Sequence, residues 1–471
     1  MKTIKIEPVT RVEGEARVVI VIDEEKHVVR DAYYQIMSLR GFEAFCRGRP
    51  VEELPRITST ICGVCSWAHH LASAKAVDEV YGRKPTVYAD NLRELTMLAQ
   101  ICDSHLLHFA FLALPDILSK NIREIVIGEP KLLSMLIKAR SSVVNIEKIL
   151  GGKPIHPSFT VPGGVARKLS REDIARINNL IRELYVNITA SIDYFNERIL
   201  KSTNFRKLIE NEAFTIKSYY MGLIDTDGSI GFYRGKLRII DPDGRELALL
   251  EPRDYTRFIE ERVEAWSYSK FPYVKTNKTR SMDGEYGLVR VGPLARFNIS
   301  TKIPLERSRF EYERLIETLG EKPIHNSQVN HWIRLLEVLY STEKMFKLIE
   351  EISNTEGETV NTSGEPRYEG VGIVEAPRGT LIHHYKTNED FITTDINVIT
   401  PTTFNNPAIN REIRKVCESS LHNILSSDLE PSYFNDVEVA IRAYDPCNSC
   451  STHLHIISSD GRKSKSMVIS R

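Results

Sequence analysis

Two Cys-x-x-Cys pairs lie near opposite ends of the 471-residue chain, Cys62-Gly63-Val64-Cys65 and Cys447-Asn448-Ser449-Cys450. Each spacing lets two thiolates share one ion, and four thiolates complete a soft donor set. Such a set selects zinc, nickel, copper(I) or iron over magnesium or calcium. If the pairs converge, the fold must carry its N-terminal region onto its C-terminal region. A local zinc ribbon joins its pairs across roughly 15–20 residues, which this separation excludes. Spacing alone leaves a long-range structural zinc and a catalytic metal both open.

The remaining cysteines do not change that reading. Seven is an odd and sparse count, against a disulfide framework. Cys46, Cys102 and Cys417 stand alone and read as buried small hydrophobes. With 63 basic and 63 acidic residues the formal net charge is zero, and no local basic patch is evident. No field draws in nucleic acid or an anionic membrane, so neither is expected as a partner. The segment Met1 to Pro8 lacks the apolar stretch of a signal peptide. The longest apolar run, Leu106 to Leu118, is interrupted by His108, Pro115 and Asp116. It reads as too short and broken to span a bilayer, so a soluble protein without membrane insertion is expected.

Periodicity predicts an α+β, helix-dominated chain with a central long-helix bundle and peripheral strand-rich segments. Residues 1–60 are an N-terminal strand-rich segment, with a strand pair over 4–34 turning near Asp23–Lys26. Residues 61–214 form a helical core bearing the first cysteine pair. In it Leu92, Leu95, Leu98, Ile101, Leu106, His108 and Phe109 share an inward face, and Ser170 with Asp173 starts a helix. Residues 215–300 are a strand-rich insertion, signalled by the turns Asp225-Thr226-Asp227-Gly228 and Asp241-Pro242-Asp243-Gly244. Residues 301–453 are helical and irregular, with helix over Glu306–Asn354 and a final helix over Arg411–Ser427 before the second pair. Residues 454–471 follow the last motif, and their plain reading is a loose polar terminus.

The flanks of the cysteine pairs carry further chemistry. His69-His70 follow the first, and the second is set in Asp445-Pro446-Cys447-Asn448-Ser449-Cys450-Ser451-Thr452-His453. A zinc held by four cysteines has no use for another ligand. Taken singly, Glu13 reads as a solvated charge at a strand end. Glu43 reads as an acid at a helix start, and Pro377-Arg378-Gly379 as a turn with a surface arginine.

Together these stretches resemble the large, catalytic subunits of nickel–iron hydrogenases over essentially the whole chain. The resemblance is carried by Arg11-Val12-Glu13-Gly14, Arg40-Gly41-Phe42-Glu43, Cys62-Gly63-Val64-Cys65 with His69, and His105-x-x-His108-Phe109. It continues through Gly152-x-x-x-His156-Pro157, Val161-Pro162-Gly163-Gly164, Glu375-Ala376-Pro377-Arg378-Gly379 and Asp445-Pro446-Cys447-x-x-Cys450-x-x-His453. The Arg40–Arg49 stretch and the His69-His70-Leu71-Ala72 run look most like one soluble, cytoplasmic group. Its members do not reduce deazaflavin and pass electrons to heterodisulfide reductase or related flavin partners.

The resemblance implies that Cys62, Cys65, Cys447 and Cys450 ligate nickel. Cys65 and Cys450 would bridge to an iron carrying carbon monoxide and cyanide. Cys447 would accept a proton, Glu13 would relay it outward, and Arg378, fixed by Asp445, would stand over the open side beside Pro377. Glu43, the carbonyl of Val398 and His453 would hold magnesium. The resemblance further implies an iron–sulfur small subunit, an electron-transfer subunit with heterodisulfide reductase beyond it, and a maturation endopeptidase that removes 454–471. Three positions depart from the family's usual pattern: Thr60 for an arginine, Glu15 for a histidine, and Ser104 for an aspartate with Asp103 adjacent. The rival readings are a hydrogenase coupled to deazaflavin or NAD(P), a metal-free quinone-reductase subunit, and a non-enzymatic zinc-stapled assembly protein.

Overall fold

Alternation of β-branched residues sets the first layer of the fold. In this computed structural model, which describes residues 1–38, 41–275, 287–425 and 434–451, β1 (Lys2–Ile6), β2 (Ala16–Asp23) and β3 (Val28–Ile36) form one antiparallel sheet. β2 buries every second side chain, as a strand with one packed face does. The expected pair β2–β3 turns at 24–27, and β1 adds a strand with Lys2 opposite Ile22.

Helical periodicity takes over beyond the first cysteine pair. The helices are α1 (Ser66–Val80), α2 (Val87–Leu107), α3 (Pro130–Gly151), α4 (Arg171–Tyr194) and α5 (Asn330–Asn354). α2 packs on α3 and α5, and α4 packs on the same two, which closes a four-helix bundle. Leu92, Leu95, Leu98, Ile101, Leu106 and Phe109 all lie in its core. α4 begins at a reciprocal cap in which Ser170 and Asp173 bond each other's backbone N–H, as the sequence predicts.

The interruptions at His108, Pro115 and Asp116 do not end the helix. A wider helical turn at His108–Ala113 carries the helix on to Leu118, and Pro115 falls in the first turn of the next segment, where its missing N–H costs little. The path Val87–Leu118 is therefore long and apolar enough to cross a membrane. Its most apolar window is 83% buried by the rest of the protein, which marks it as the bundle's central helix.

The strand-rich insertion contains β4 (Tyr219–Ile224), β5 (Lys236–Ile240), β6 (Glu246–Leu250), the hairpin β7 (Ile259–Val263) with β8 (Lys270–Val274), and β9 (Val289–Arg290). The helix expected over Glu306–Asn354 is two helices, Glu306–Leu319 and α5, separated at Gly320 and Pro323. A meander follows: β10 (Glu369–Ala376), β11 (Gly379–Thr387) and β12 (Thr393–Ile399). α1 lies directly on β10 because Gly370 and Gly372 have no side chains. A Cβ on Gly372 would stand 1.9 Å from the carbonyl oxygen of Ala72.

The final helices differ from the sequence expectation of Arg411–Ser427. α6 runs Pro401–Ser419, and α7 (Asn435–Ala443) delivers the chain to the second cysteine pair. Pro401 sits in the first turn, where a proline is accommodated. Asn405 and Asn406 are buried and bonded. Asn405 Oδ1 accepts from Val291 N, and Asn406 Nδ2 donates to Tyr34 O.

Candidate metal centre

The four cysteine sulfurs meet. Cys65 caps the start of α1, Cys62 precedes it by one turn, and Cys447 and Cys450 follow α7. All four Sγ atoms lie within 4.8 Å of one another, and all four residues are buried. Cys65 is 3.1 Å from Cys450 and 3.9 Å from Cys447; Cys447 is 3.3 Å from Cys62 and 2.6 Å from Cys450. None is in a disulfide. Thiolates about 2.3 Å from a shared tetrahedral ion stand roughly 3.8 Å apart, so the set fits an ion after a slight spread. Cys46, Cys102 and Cys417 are buried elsewhere, and burial pushes the Cys46 and Cys417 thiols up to about 12.

Charge favours the same conclusion. Hydrogen bonds from Cys447, Cys450 and Cys65 pull the Cys62 thiol well below its ordinary range, and the Arg378 cation adds to that. Burial pushes the Cys447 thiol well up. A dry pocket does not hold four bare thiolates without a cation among them.

Arg378 sits at the hairpin between β10 and β11, where Ala376 faces Gly379. Its Nε donates to the main-chain oxygen of Asp445 at 2.6 Å and its Nη2 to Asp445 Oδ1 at 3.0 Å. The pairing is thus one carboxylate bond and one carbonyl bond. The third nitrogen, Nη1, is buried without a hydrogen-bond partner among the described residues. Arg378, Pro377, Cys65, Cys447, Cys450, His69 and Pro401 enclose a cavity of about 10 Å³, room for one very small molecule. Arg296 holds the strap from behind: it donates to the carbonyls of Ala376 and Pro377 at 3.0 Å and pairs with Glu337 at 2.7 Å and Glu375 at 3.0 Å. Burial pushes the Asp445 carboxyl up to about 6 against the pull of Arg378 and Arg334.

Glu13 meets the second cysteine pair by backbone as well as side chain. It bridges Cys447 as a strand partner, and its carbonyl accepts from Asn448 N at 3.1 Å. Its carboxylate accepts from Ser449 N at 3.1 Å and Ser449 Oγ at 2.5 Å. The half-buried acid therefore faces the sulfurs' loop on one side and the exterior on the other. Gly14 beside it has φ +75°, and a Cβ there would press on Asn448 Cβ at 3.0 Å.

Glu43 is fully buried at some remove in the sequence from both pairs. Its Oε1 accepts from Val398 N at 2.8 Å and from Lys270 Nζ at 3.0 Å. Lys270 also donates to Asn397 Oδ1 at 2.5 Å and stands 3.3 Å from Glu261. Two carboxylates and an amide oxygen are the donors a hard cation takes. Here an ammonium stands among them, and Val398 turns its N–H to Glu43. Lys270, Glu261 and Asn397 belong to no motif, and nothing in the sequence singles them out. His453, Arg40 and residues 454–471 lie outside the described residues.

The other motif residues divide by distance. His69 Nε2 is 3.4 Å from Cys450 Sγ. His105 binds Glu337 at 2.7 Å, and His108 binds the carbonyl of Arg442 at 2.9 Å. Asp103 pairs with Arg140 at 2.9 Å, while Ser104 is buried with its Oγ unpartnered among the described residues; Thr60 and Glu15 are exposed.

Comparison with known proteins gives a consistent result. Residues 40–120 and 248–453 match a family described as nickel-dependent hydrogenase, and residues 3–39 match a HoxL-like family. The chain is 38% identical over 464 residues to an iron-sulfur subunit of the F420-non-reducing hydrogenase of Archaeoglobus profundus, covering 96% of this chain and 95% of that one. It is 33% identical to the NAD-reducing hydrogenase HoxS subunit beta of Cupriavidus necator, covering 95% and 94%. The crystal structure of an NAD+-reducing [NiFe]-hydrogenase in the H2-reduced state superposes with a TM-score of 0.87 at 32% identity, over 96% of this chain and 100% of that chain. The Ni-Fe-Se hydrogenase from Desulfovibrio vulgaris Hildenborough, at 21% identity over the same shares and a TM-score of 0.75, shares the fold.

Proposed function

The chain belongs to the nickel-dependent hydrogenase family as its large-subunit type, an oxidoreductase acting on H2, and on that premise we propose the residue roles and the electron route. The observation that carries the proposal is the meeting of four buried sulfurs under one guanidinium. Cys62, Cys65, Cys447 and Cys450 would hold nickel, and Cys65 and Cys450 would also serve an iron carrying carbon monoxide and cyanide. When bound, the metal pair supplies the Lewis acid that makes H2 acidic enough to split.

The protein supplies the rest. Dihydrogen is a very weak acid, so a base must stand beside the split bond. Cys447 Sγ would take the proton. The Glu13 carboxylate, bonded to the loop carrying Cys447, accepts it next and passes it outward. Arg378 keeps a permanent positive charge over the cavity, its orientation set by Asp445 and its strap by Arg296. Pro377 walls the cavity against water.

Glu43, the carbonyl of Val398 and His453 would hold magnesium in this reading. The oxygen donors around Glu43 suit that ion, and Lys270 would yield its place on the carboxylate.

Electrons leave through a partner. Of seven cysteines four belong to the centre, and the three left are fewer than the four a cubane cluster needs. The partner is an iron–sulfur small subunit, with heterodisulfide reductase and its electron-transfer subunit beyond it, in the cytoplasm. Likeness to relatives named as F420-non-reducing hydrogenases supports this route. A second route, to NAD(P), is favoured by the structural likeness to an NAD+-reducing enzyme. Residues 454–471 are removed by a maturation endopeptidase; an intact mass retaining them in active enzyme would refute this.

Elemental analysis of the protein purified with its partners tests the core of the proposal. About one nickel and one iron per chain, with H2-dependent dye reduction, is the expected result; zinc alone supports a structural staple instead.

A further inference from the structure

We propose that His383 and Tyr385 are positioning residues: they lock one tautomer of His69, so that its Nε2–H points at Cys450 Sγ and sets how strongly that thiolate donates to the metals. The inference rests on the proposed role of Cys450 as a ligand and goes beyond it.

Five side chains form a single file. Cys450 Sγ is 3.4 Å from His69 Nε2, and His69 Nδ1 is 3.1 Å from His383 Nε2. His383 Nδ1 is 2.5 Å from the Tyr385 hydroxyl, which is 2.8 Å from Ser73 Oγ. All are buried. The file follows from two periodicities. His69 and Ser73 are four apart and share one face of α1, while His383 and Tyr385 are two apart and share one face of β11.

The donor inventory gives the file one direction. Burial pushes the Tyr385 phenol well above its ordinary range, so it keeps its one proton, which can go to Ser73 Oγ or to His383 Nδ1; with the Ser73 hydroxyl donating to the phenol oxygen instead, that proton goes to His383 Nδ1. A neutral His383 then carries its hydrogen on Nε2 and donates to His69 Nδ1. His69 in turn carries its hydrogen on Nε2, facing the sulfur. The opposite direction would set the bare lone pair of His69 Nε2 against Cys450 Sγ, and a metal-bound thiolate has no hydrogen to offer it, so the sulfur end selects the direction with hydrogen on Nε2. A hydrogen bond to a ligating sulfur draws density from it, and outer partners of this kind tune a metal centre.

Tyr385→Phe removes the locking hydroxyl and keeps the ring, while Ser73→Ala removes only the last link. Both are purified as the assembled enzyme, with nickel and iron content measured beside the infrared stretching bands of the iron's diatomic ligands. Y385F is expected to keep wild-type metal content while its bands move to lower wavenumber, because a less restrained His69 withdraws less density. S73A should shift them the same way by less. Bands in Y385F that coincide with wild type overturn the inference and leave the ligand assignment standing. Wild-type protein with metals but no such bands overturns the assignment and the inference with it. If Y385F fails to hold metal, S73A decides, and unmoved bands there overturn the inference.

Discussion

The two cysteine pairs reach the same centre by different means. The first is held chiefly by its own neighbourhood, with His156 and Gln100 bonding its flanks from outside. Cys65 begins α1, whose His69 N–H returns to the Cys65 carbonyl at 3.2 Å, and Thr58 Oγ1 ties the preceding turn to Leu54 O. The second is held by remote segments. Cys447 N–H donates to Thr402 Oγ1 on α6, Asn448 and Ser449 N–H donate to Glu13, and Tyr34 on β3 donates to Asn448 Oδ1. Asp445, just before the pair, is non-glycine at φ +50°. A pair built this way takes shape only when the sheet, α6 and the N-terminal loop are already assembled. Local order sets one half of the centre, and long-range order completes the other.

The largest effect should treat the two halves alike. Cys65→Ser and Cys447→Ser should each abolish nickel retention and H2-dependent dye reduction; either variant keeping both would break the shared centre. Glu13→Gln preserves an acceptor for Ser449 and removes the titrating proton. Metal content should stay, while exchange of H2 with solvent deuterons slows about 10²-fold; mass spectrometry of the headspace gas reads this directly, and full exchange would take Glu13 out of the path.

The third prediction sharpens the contrast through pH. Burial pushes Glu412 on α6 up to about 8, against its bonds to Ser327 and Tyr444, the residue preceding Asp445. The folded protein therefore binds this proton more tightly than the unfolded chain does. The resulting stability is complete below the ordinary carboxyl range near 4.5 and is lost as pH rises through about 8. Denaturant midpoints between about pH 5 and about pH 9 should fall in wild type and fall less in Glu412→Gln. An identical fall in both would exclude Glu412 as the source. The smallest effect is Tyr34→Phe, costing about 1 kcal/mol. Hydrogen exchange should quicken at Asn448 and Ser449 and leave the start of α1 unchanged.

Much of the frame was readable from the chain. The β2–β3 pair, the bundle helices and the Ser170–Asp173 cap follow from periodicity and local capping, which act over a few residues. Pro115, which interrupts the apolar run in sequence, falls in the first turn of the segment that continues the helix, where the fold accommodates it. Asp103 beside Ser104 suggests a replacement acid, yet it turns to Arg140 on α3. Lys270 against Glu43 and Tyr385 against His383 carry no local pattern at all.

The residue types and their spacing determined that four soft donors were present, that they were too far apart in sequence for a ribbon, and that the chain had too few cysteines for a cluster of its own. Those are properties of composition and short-range order. Only the tertiary structure decided that the sulfurs converge, that Arg378 reaches Asp445 through one carboxylate and one carbonyl contact, and that an imidazole file ends at Cys450. The sulfur and imidazole contacts join residues hundreds of positions apart, and the Arg378–Asp445 contact spans 67. They exist because α1 settles onto β10 at two glycines and the second cysteine loop closes onto Glu13, arrangements that depend on the packing of the whole chain.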